Sequence, residues 1–240
     1  MNTVVTAEQV AGRLQGVKAR IARVAAPGSE VKVVAVTKGF GEDVVASAIA
    51  AGVEDFGENY ADELLAKASA ARAQVRWHFL GALQRNKIAR LAPTVYMWHS
   101  LDSEAAAGAL SRRRPGAPVL VQVKVAGGAE RRGAPAERVP ELVRFARDAG
   151  LEVRGLMAVG PAGTSPGQVR SRFREVAALA RSLRLGELSM GMSDDFELAV
   201  AEGATIVRLG RVLFGPRPRQ APATNGPLYA PEGSRATLGL

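Results

Sequence analysis

Residues 31–38, VKVVAVTK, form an apolar, β-branched run that ends in a single lysine. Such a composition suits a strand buried on both faces, as in a parallel sheet, and Lys38 then stands where the strand opens into the loop Gly39-Phe40-Gly41. A lysine in that place has two readings. It marks the solvent boundary of the strand, or its amine is partly desolvated by the apolar strand end, which lowers its pKa and frees a nucleophile that condenses with aldehydes. Which one holds depends on what the rest of the chain brings to that strand end.

Upstream, residues 6–24 carry apolar side chains at helical spacing, and Pro27-Gly28 stops the helix. Downstream, the pattern of strand then helix repeats. Strands are expected at 31–37, 55–57, 76–80, 95–99, 119–125, 152–157, 187–189 and 205–209. The helices between them are expected at 43–51, 60–73, 84–91, from Asp102 or Ser103 to the loop Arg114-Pro115-Gly116, and at 135–149, 168–183 and 194–202. Residues 126–134 read as a Gly-rich, mobile loop. Eight such units with short connections describe a single α/β domain, a (β/α)8 TIM-type barrel, better than an open doubly wound sheet. The barrel is expected over residues 1–215, with the N-terminal helix included, and an irregular, flexible tail over 216–240. In a barrel, the C-terminal strand ends form the active face. Lys38, Asn59, Gly81, Ser100, Met157, Ser189 and Arg208 are expected on or near that rim.

Composition narrows the chemistry. The chain has 240 residues, no cysteine and two histidines, His78 and His99, which belong to no spaced ligand set, so neither thiolate chemistry nor a metal site is expected. No stretch reads as a signal peptide or a membrane span, and a soluble cytoplasmic protein follows as the expectation. The formal net charge of +9 rests largely on arginine, in clusters such as Arg112-Arg113-Arg114 and Arg131-Arg132. These sit beside Pro and Gly without interleaved aromatics, which argues against nucleic acid, although a basic interior also suits one small phosphate ligand.

Phosphate is what the C-terminal third suggests. In LSMGMSDDFELAVAEGATIVRLGRVLFG, Ser189-Met190-Gly191 follows one strand and Leu209-Gly210-Arg211 the next. Loops after strands seven and eight of a barrel commonly cradle phosphate, here with the Ser189 hydroxyl and the amides of Met190, Gly210 and Arg211. Each glycine taken singly reads rather as a tight turn; it is the pair of loops at this place in the order that points to a cradle. Arg208 lies in an apolar strand and needs an acceptor: a buried acid, a heteroaromatic ring nitrogen or a ligand phosphate. Asn59 either pairs with a ligand or caps the following helix. His78, between apolar neighbours, reads as a satisfied structural histidine rather than a general base, and Gln84-Arg85-Asn86-Lys87 as a helix start.

With these segments in view, the chain resembles the pyridoxal phosphate (PLP) homeostasis protein family, related to the barrel domain of alanine racemase. The motifs that carry the resemblance are VVAVTKGF, FGENYADEL, WHFLGALQRNK, HSLDS, GLMAVGP, LSMGMSDDFELAV and VRLGRVLFG, in family order from Val33 to Gly215. The resemblance implies one barrel holding PLP, with Lys38 as Schiff-base lysine and Ser189, Gly210 and Arg211 at the phosphate. Arg208 would face the pyridine nitrogen, and Asn59 and Met190 would line the ring. Two residues depart from the pattern. Ala82 stands where the family has a polar residue, and Arg211 replaces a Ser or Thr, so a hydroxyl to the phosphate is lost while a backbone N–H remains.

An arginine at the pyridine nitrogen stays charged and opposes protonation there, which makes the ring a poor electron sink. Racemisation also needs a second base; Tyr60 and Tyr96 are the candidates, and the chain has no room for the racemases' extra β domain. The expected function is therefore to hold PLP and pass it on, with PLP-dependent apo-enzymes as recipients, little or no turnover, and a monomer rather than an obligate dimer. A PLP-dependent amino-acid racemase is the rival. A Schiff-base aldolase on a sugar phosphate and a salt-sensitive nucleic-acid binder are the further alternatives.

Overall fold

Why one helix precedes the first strand is visible in its cap. In a computed structural model of the protein, which describes residues 5–125, 132–161 and 163–217, Thr6 and Gln9 form a reciprocal capping box that starts α1 (Ala7–Val24). Val10, Leu14, Val17 and Ile21 recur at helical spacing and are buried, each contributing roughly 1.5–3 kcal/mol of burial. Then come β1 (Lys32–Val36), α2 (Glu42–Ala50), β2 (Asp55–Glu58), α3 (Ala61–Ala70), β3 (Arg76–Phe79), α4 (Arg85–Leu91), β4 (Val95–Leu101) and α5 (Glu104–Arg113). The second half is β5 (Pro118–Gln122), α6 (Val139–Asp148) after one 3-10 turn, β6 (Glu152–Met157), α7 (Pro166–Ser182), β7 (Glu187–Ser189), α8 (Phe196–Ala201), β8 (Ile206–Leu209) and α9 (Arg211–Phe214). The strands pair in parallel in chain order, and β1 closes on β8 with Lys32 opposite Ile206 and Ala35 opposite Leu209. The molecule is a (β/α)8 barrel, and α1 packs across the seam against α2, α8 and α9.

Some boundaries differ from the sequence reading for local reasons. Strand β5 stops at Gln122, because Val123 instead makes an isolated bridge with Ala134 as the chain leaves the barrel. Helix α7 starts two residues early, at Pro166, because Ser165 and Gln168 form a second capping box. Most of the Gly-rich loop, 126–131, and of the tail, 218–240, lies outside the described residues.

Strand periodicity sorts the core into two shells. Phe56, Trp77, Phe79, Trp98, Val121, Leu188, Val207 and Leu209 point outward to the helices. Their alternates point inward, where Val34, Met97, Leu120, Met157 and Ile206 form a small apolar cluster. The remaining inward positions include His78, His99, Gln122, Ser189 and Arg208, all buried. Among the described residues, no helix is long and apolar enough to cross a membrane.

Candidate functional site

A cavity of about 1030 Å³ opens at the C-terminal ends of the strands. Lys38, Asn59, Gly81, Met157, Arg208, Gly210 and Arg211 line it, together with Ser193 and Gln122. Its cations are Lys38, Lys87, Arg132, Arg208, Arg211 and Arg217, against the carboxylates of Asp194 and Asp195, so its field favours an anion.

Lys38 is half-buried, and the turn that carries it is held from behind on both flanks. The Thr37 carbonyl accepts from Lys67 Nζ (2.8 Å), and the Gly39 amide donates to Glu63 Oε2 (2.9 Å). Lys67 Nζ also donates to Glu58 Oε1 (2.6 Å) and Glu63 Oε2 (2.8 Å), and the Thr37 hydroxyl donates to Glu58 Oε1 (2.7 Å). Burial pushes the Glu58 carboxyl up, against the pull of Lys67 and Thr37. Burial would also raise Glu63, but Lys67 and the Gly39 amide outweigh it and hold that carboxyl below its ordinary value. The sequence reading missed this Glu58-Glu63-Lys67 clamp. Its signals were a glutamate inside the apolar FGEN stretch and an i, i+4 Glu63-Lys67 pair.

Asn59 does not cap the next helix. Tyr60 holds the cap position of α3, and Asn59 Oδ1 is buried with no hydrogen-bond partner. Beside it, Gly81 passes so close that a Cβ there would lie 2.0 Å from the Asn59 carbonyl oxygen. Ser100 serves the same wall from outside the cavity, donating to the Gly81 carbonyl.

Among the described residues, the direct partners of Arg208 are two carbonyls and a hydroxyl rather than a carboxylate. Its NH1 donates to the carbonyl (2.7 Å) and hydroxyl (2.7 Å) of Ser189, and NH2 to the Ala158 carbonyl (2.9 Å). These account for three of the five guanidinium N–H groups. Burial pushes Arg208 down to about 10, with the Asp195 charge opposing, so it stays a cation at neutral pH.

Two expected site residues are placed elsewhere. The register of β7 on β8 sets Ser189 level with Ile206, one inward layer beneath Arg208, and Ser189 does not line the cavity. Its hydroxyl contacts Arg208 and His99 Nδ1 (3.0 Å). Met190 faces outward, fully buried against the helices, and its amide donates to the Ile206 carbonyl (3.1 Å). The loop beyond them supplies the lining: Ser193, half-buried, accepts from the Val212 amide at 3.3 Å. A left-handed Gly191 (φ +88°) makes that loop possible, since a Cβ there would meet Phe196 and Ala199 within 2.8 Å. The amides of Gly210 and Arg211 make no loop hydrogen bond among the described residues. The Arg211 guanidinium pairs with Asp194 at the rim. Tyr96 lies at the opposite end of the barrel, with Lys32 and Arg76, while Tyr60 stands exposed at the cavity mouth. Pro216 and Arg217, expected to begin the tail, line the cavity as well.

The same barrel recurs in known proteins. The family model described as alanine racemase, N-terminal domain, matches residues 13–218. The pyridoxal phosphate homeostasis protein of Pseudomonas aeruginosa is 41% identical over 202 residues, covering 81% of this chain and 88% of that one. The chain belongs to the pyridoxal phosphate homeostasis protein family. Its human member is 36% identical over 217 residues, covering 80% of this chain and 78% of that one. Among solved structures of the family, PipY of Synechococcus elongatus with PLP bound superposes with a TM-score of 0.77 at 33% identity, over 86% of this chain and all (100%) of that one. Lysine decarboxylase of Selenomonas ruminantium shares the barrel alone, at 18% identity and a TM-score of 0.64 over 90% of this chain and 63% of that one.

Proposed function

We propose that this protein binds PLP in the cavity at the C-terminal end of the barrel, holds it covalently through Lys38, and serves PLP homeostasis or delivery with little or no turnover. The observation that carries the reading is the convergence on one cavity of a lysine at a clamped strand end, an arginine with N–H groups to spare, and a buried, partnerless Asn59 Oδ1. A phosphorylated pyridine aldehyde fits that set, and PipY, at 33% identity, was solved with PLP bound. PLP supplies an aldehyde that condenses with a primary amine.

Lys38 is the amine. The clamp keeps its turn rigid, so the side chain meets its target without reordering the backbone. The Gly210 and Arg211 amides, with the Ser193 hydroxyl, hold the phosphate, and Ser193 takes the part expected of Ser189. Arg208 would face the ring nitrogen as a donor and, by keeping it unprotonated, would withhold the electron sink that racemisation and decarboxylation use. Asn59 orients the ring edge. The recipients would be PLP-dependent apo-enzymes.

The test is the absorption spectrum of the purified protein beside Lys38→Ala, before and after borohydride reduction with peptide mass mapping. A visible band lost on reduction, with a pyridoxyl mass on Lys38 and no band in Lys38→Ala, supports the reading. A wild-type chain that takes up no added PLP ends it. Steady racemisation or decarboxylation of any amino acid would replace the carrier role with an enzyme's.

A further inference from the structure

Five side chains from five different strands touch in series inside the barrel. Asp55 Oδ1 lies 2.9 Å from His78 Nε2, and His78 Nδ1 lies 2.8 Å from His99 Nε2. His99 Nδ1 is 3.0 Å from Ser189 Oγ, which is 2.7 Å from Arg208 NH1. All five residues are buried.

Donor counting gives this series one direction. A guanidinium has no acceptor, so NH1 donates to Ser189 Oγ, and the single Ser189 hydrogen goes on to His99 Nδ1. A neutral His99 then carries its hydrogen on Nε2 and donates to His78 Nδ1. A neutral His78 carries its own on Nε2 and donates to Asp55. That carboxylate is anchored by Arg76, whose Nε and NH2 donate to its two oxygens at 2.7 and 2.8 Å. Running the series the other way would put a hydrogen on His99 Nδ1 and leave His78 doubly protonated in the barrel interior. Burial works against that, lowering both imidazoles, with Asp55 opposing at His78 and the nearby charges adding to the effect at His99.

A purely structural interior has no need of such a series. Barrel interiors are filled mainly by branched aliphatic side chains, and replacing a buried polar array by them is often neutral or stabilising. Here the polar series ends on the one guanidinium, among the described residues, that is both buried and in the cavity wall.

We propose that His99, acting through Ser189, is a positioning residue for Arg208: a one-way chain of hydrogen bonds anchored on Asp55 holds the guanidinium so that its remaining N–H groups face the cofactor ring nitrogen. This rests on the PLP reading above and extends it to the layer beneath the cavity. It also gives Ser189 a part beneath the cavity wall rather than in it, with its only hydrogen committed to His99.

The test uses the full chain with ¹⁵N-labelled histidine, which gives two imidazole spin systems because the chain has two histidines. Without PLP at neutral pH, both are expected as Nε2–H tautomers, with scalar coupling across His78 Nδ1 and His99 Nε2. PLP affinity and the absorption band are then compared in wild type, Ser189→Ala, His99→Leu and His99→Gln. Ser189→Ala and His99→Leu are expected to bind PLP about tenfold more weakly or worse and to shift the band, since one hydrogen bond to a charged group is lost or left unsupported. His99→Gln keeps a donor and an acceptor and is expected to lie nearer wild type. Should His99→Leu fail to fold, Ser189→Ala, which removes one hydroxyl, decides. A His99 Nδ1–H tautomer, a charged His78, or wild-type affinity and band in Ser189→Ala overturns the proposal. Expected tautomers in a wild-type chain that binds no PLP would sink the cofactor reading, and the positioning role with it, while leaving the chain of hydrogen bonds as structure.

Discussion

Replacing Lys67 with methionine removes the cation behind the Lys38 turn. Lys67 is 3% exposed, and its Nζ donates to the Thr37 carbonyl, Glu58 and Glu63. Methionine fills a similar volume without donating. Glu58, fully buried and with Oε2 already lacking a partner, is then left with the Thr37 hydroxyl. Breaking a buried ion pair by removing one side costs about 3–5 kcal/mol, a large share of the roughly 5–15 kcal/mol that holds a domain folded. Urea unfolding at neutral pH is expected to show that loss. The pH dependence follows from Glu58, whose carboxyl is raised by burial and rises further without Lys67. A group with a raised folded pKa binds more protons when folded. The penalty is therefore absent below the unfolded value of about 4.3 and grows as pH rises through the folded one. A Lys67→Met/Glu58→Leu chain removes both charges and is expected to recover most of the loss. Stability of Lys67→Met within about 1 kcal/mol of wild type at neutral pH, or a double variant no better than the single one, would refute the reasoning.

Asn59→Ala deletes an amide whose oxygen has no partner among the described residues, so the unfolding free energy in urea is expected to stay within about 0.5 kcal/mol of wild type while PLP affinity in dialysis falls. Gly81→Ala places a Cβ 2.0 Å from the Asn59 carbonyl, and a loss of about 1–3 kcal/mol on urea unfolding, with weaker PLP uptake, is expected. Both histidines titrate below their ordinary value when folded, so the unfolded chain takes up protons first as pH falls, and stability present above about pH 6.5 is lost below it. Between pH 7.5 and 5.5 that amounts to at most about 1.4 kcal/mol per imidazole, while the raised carboxyls of Glu58 and Asp195 work in the opposite direction. Imidazole resonances that titrate near pH 6.5 in the folded protein would contradict it.

Strand order and the placement of Lys38, Asn59, Arg208, Gly210 and Arg211 at one mouth were legible along the chain. Period-two alternation marks each strand, short connections force parallel neighbours, and a parallel closed sheet puts every C-terminal end on one face. What lies at a given depth inside the barrel is not written in any one segment. Ser189 and Ser193 are both small hydroxyl residues in SMGMS. Only the pairing of Ser189 with Ile206 on the next strand decides that the first sits beneath Arg208 and the second at the cavity. Met190 was misplaced for the related reason that one residue past an inward Ser189 the side chain must face outward. The same holds for the histidines: His78, flanked by apolar neighbours, reads as structural and His99 reads as no ligand, while the contact of His78 with His99 and of His99 with Ser189 spans 21 and 90 residues of chain. Hydrogen-bond direction is a property of the whole assembled set, because each donor's role depends on its partner's, and it exists only once five strands have closed around one axis.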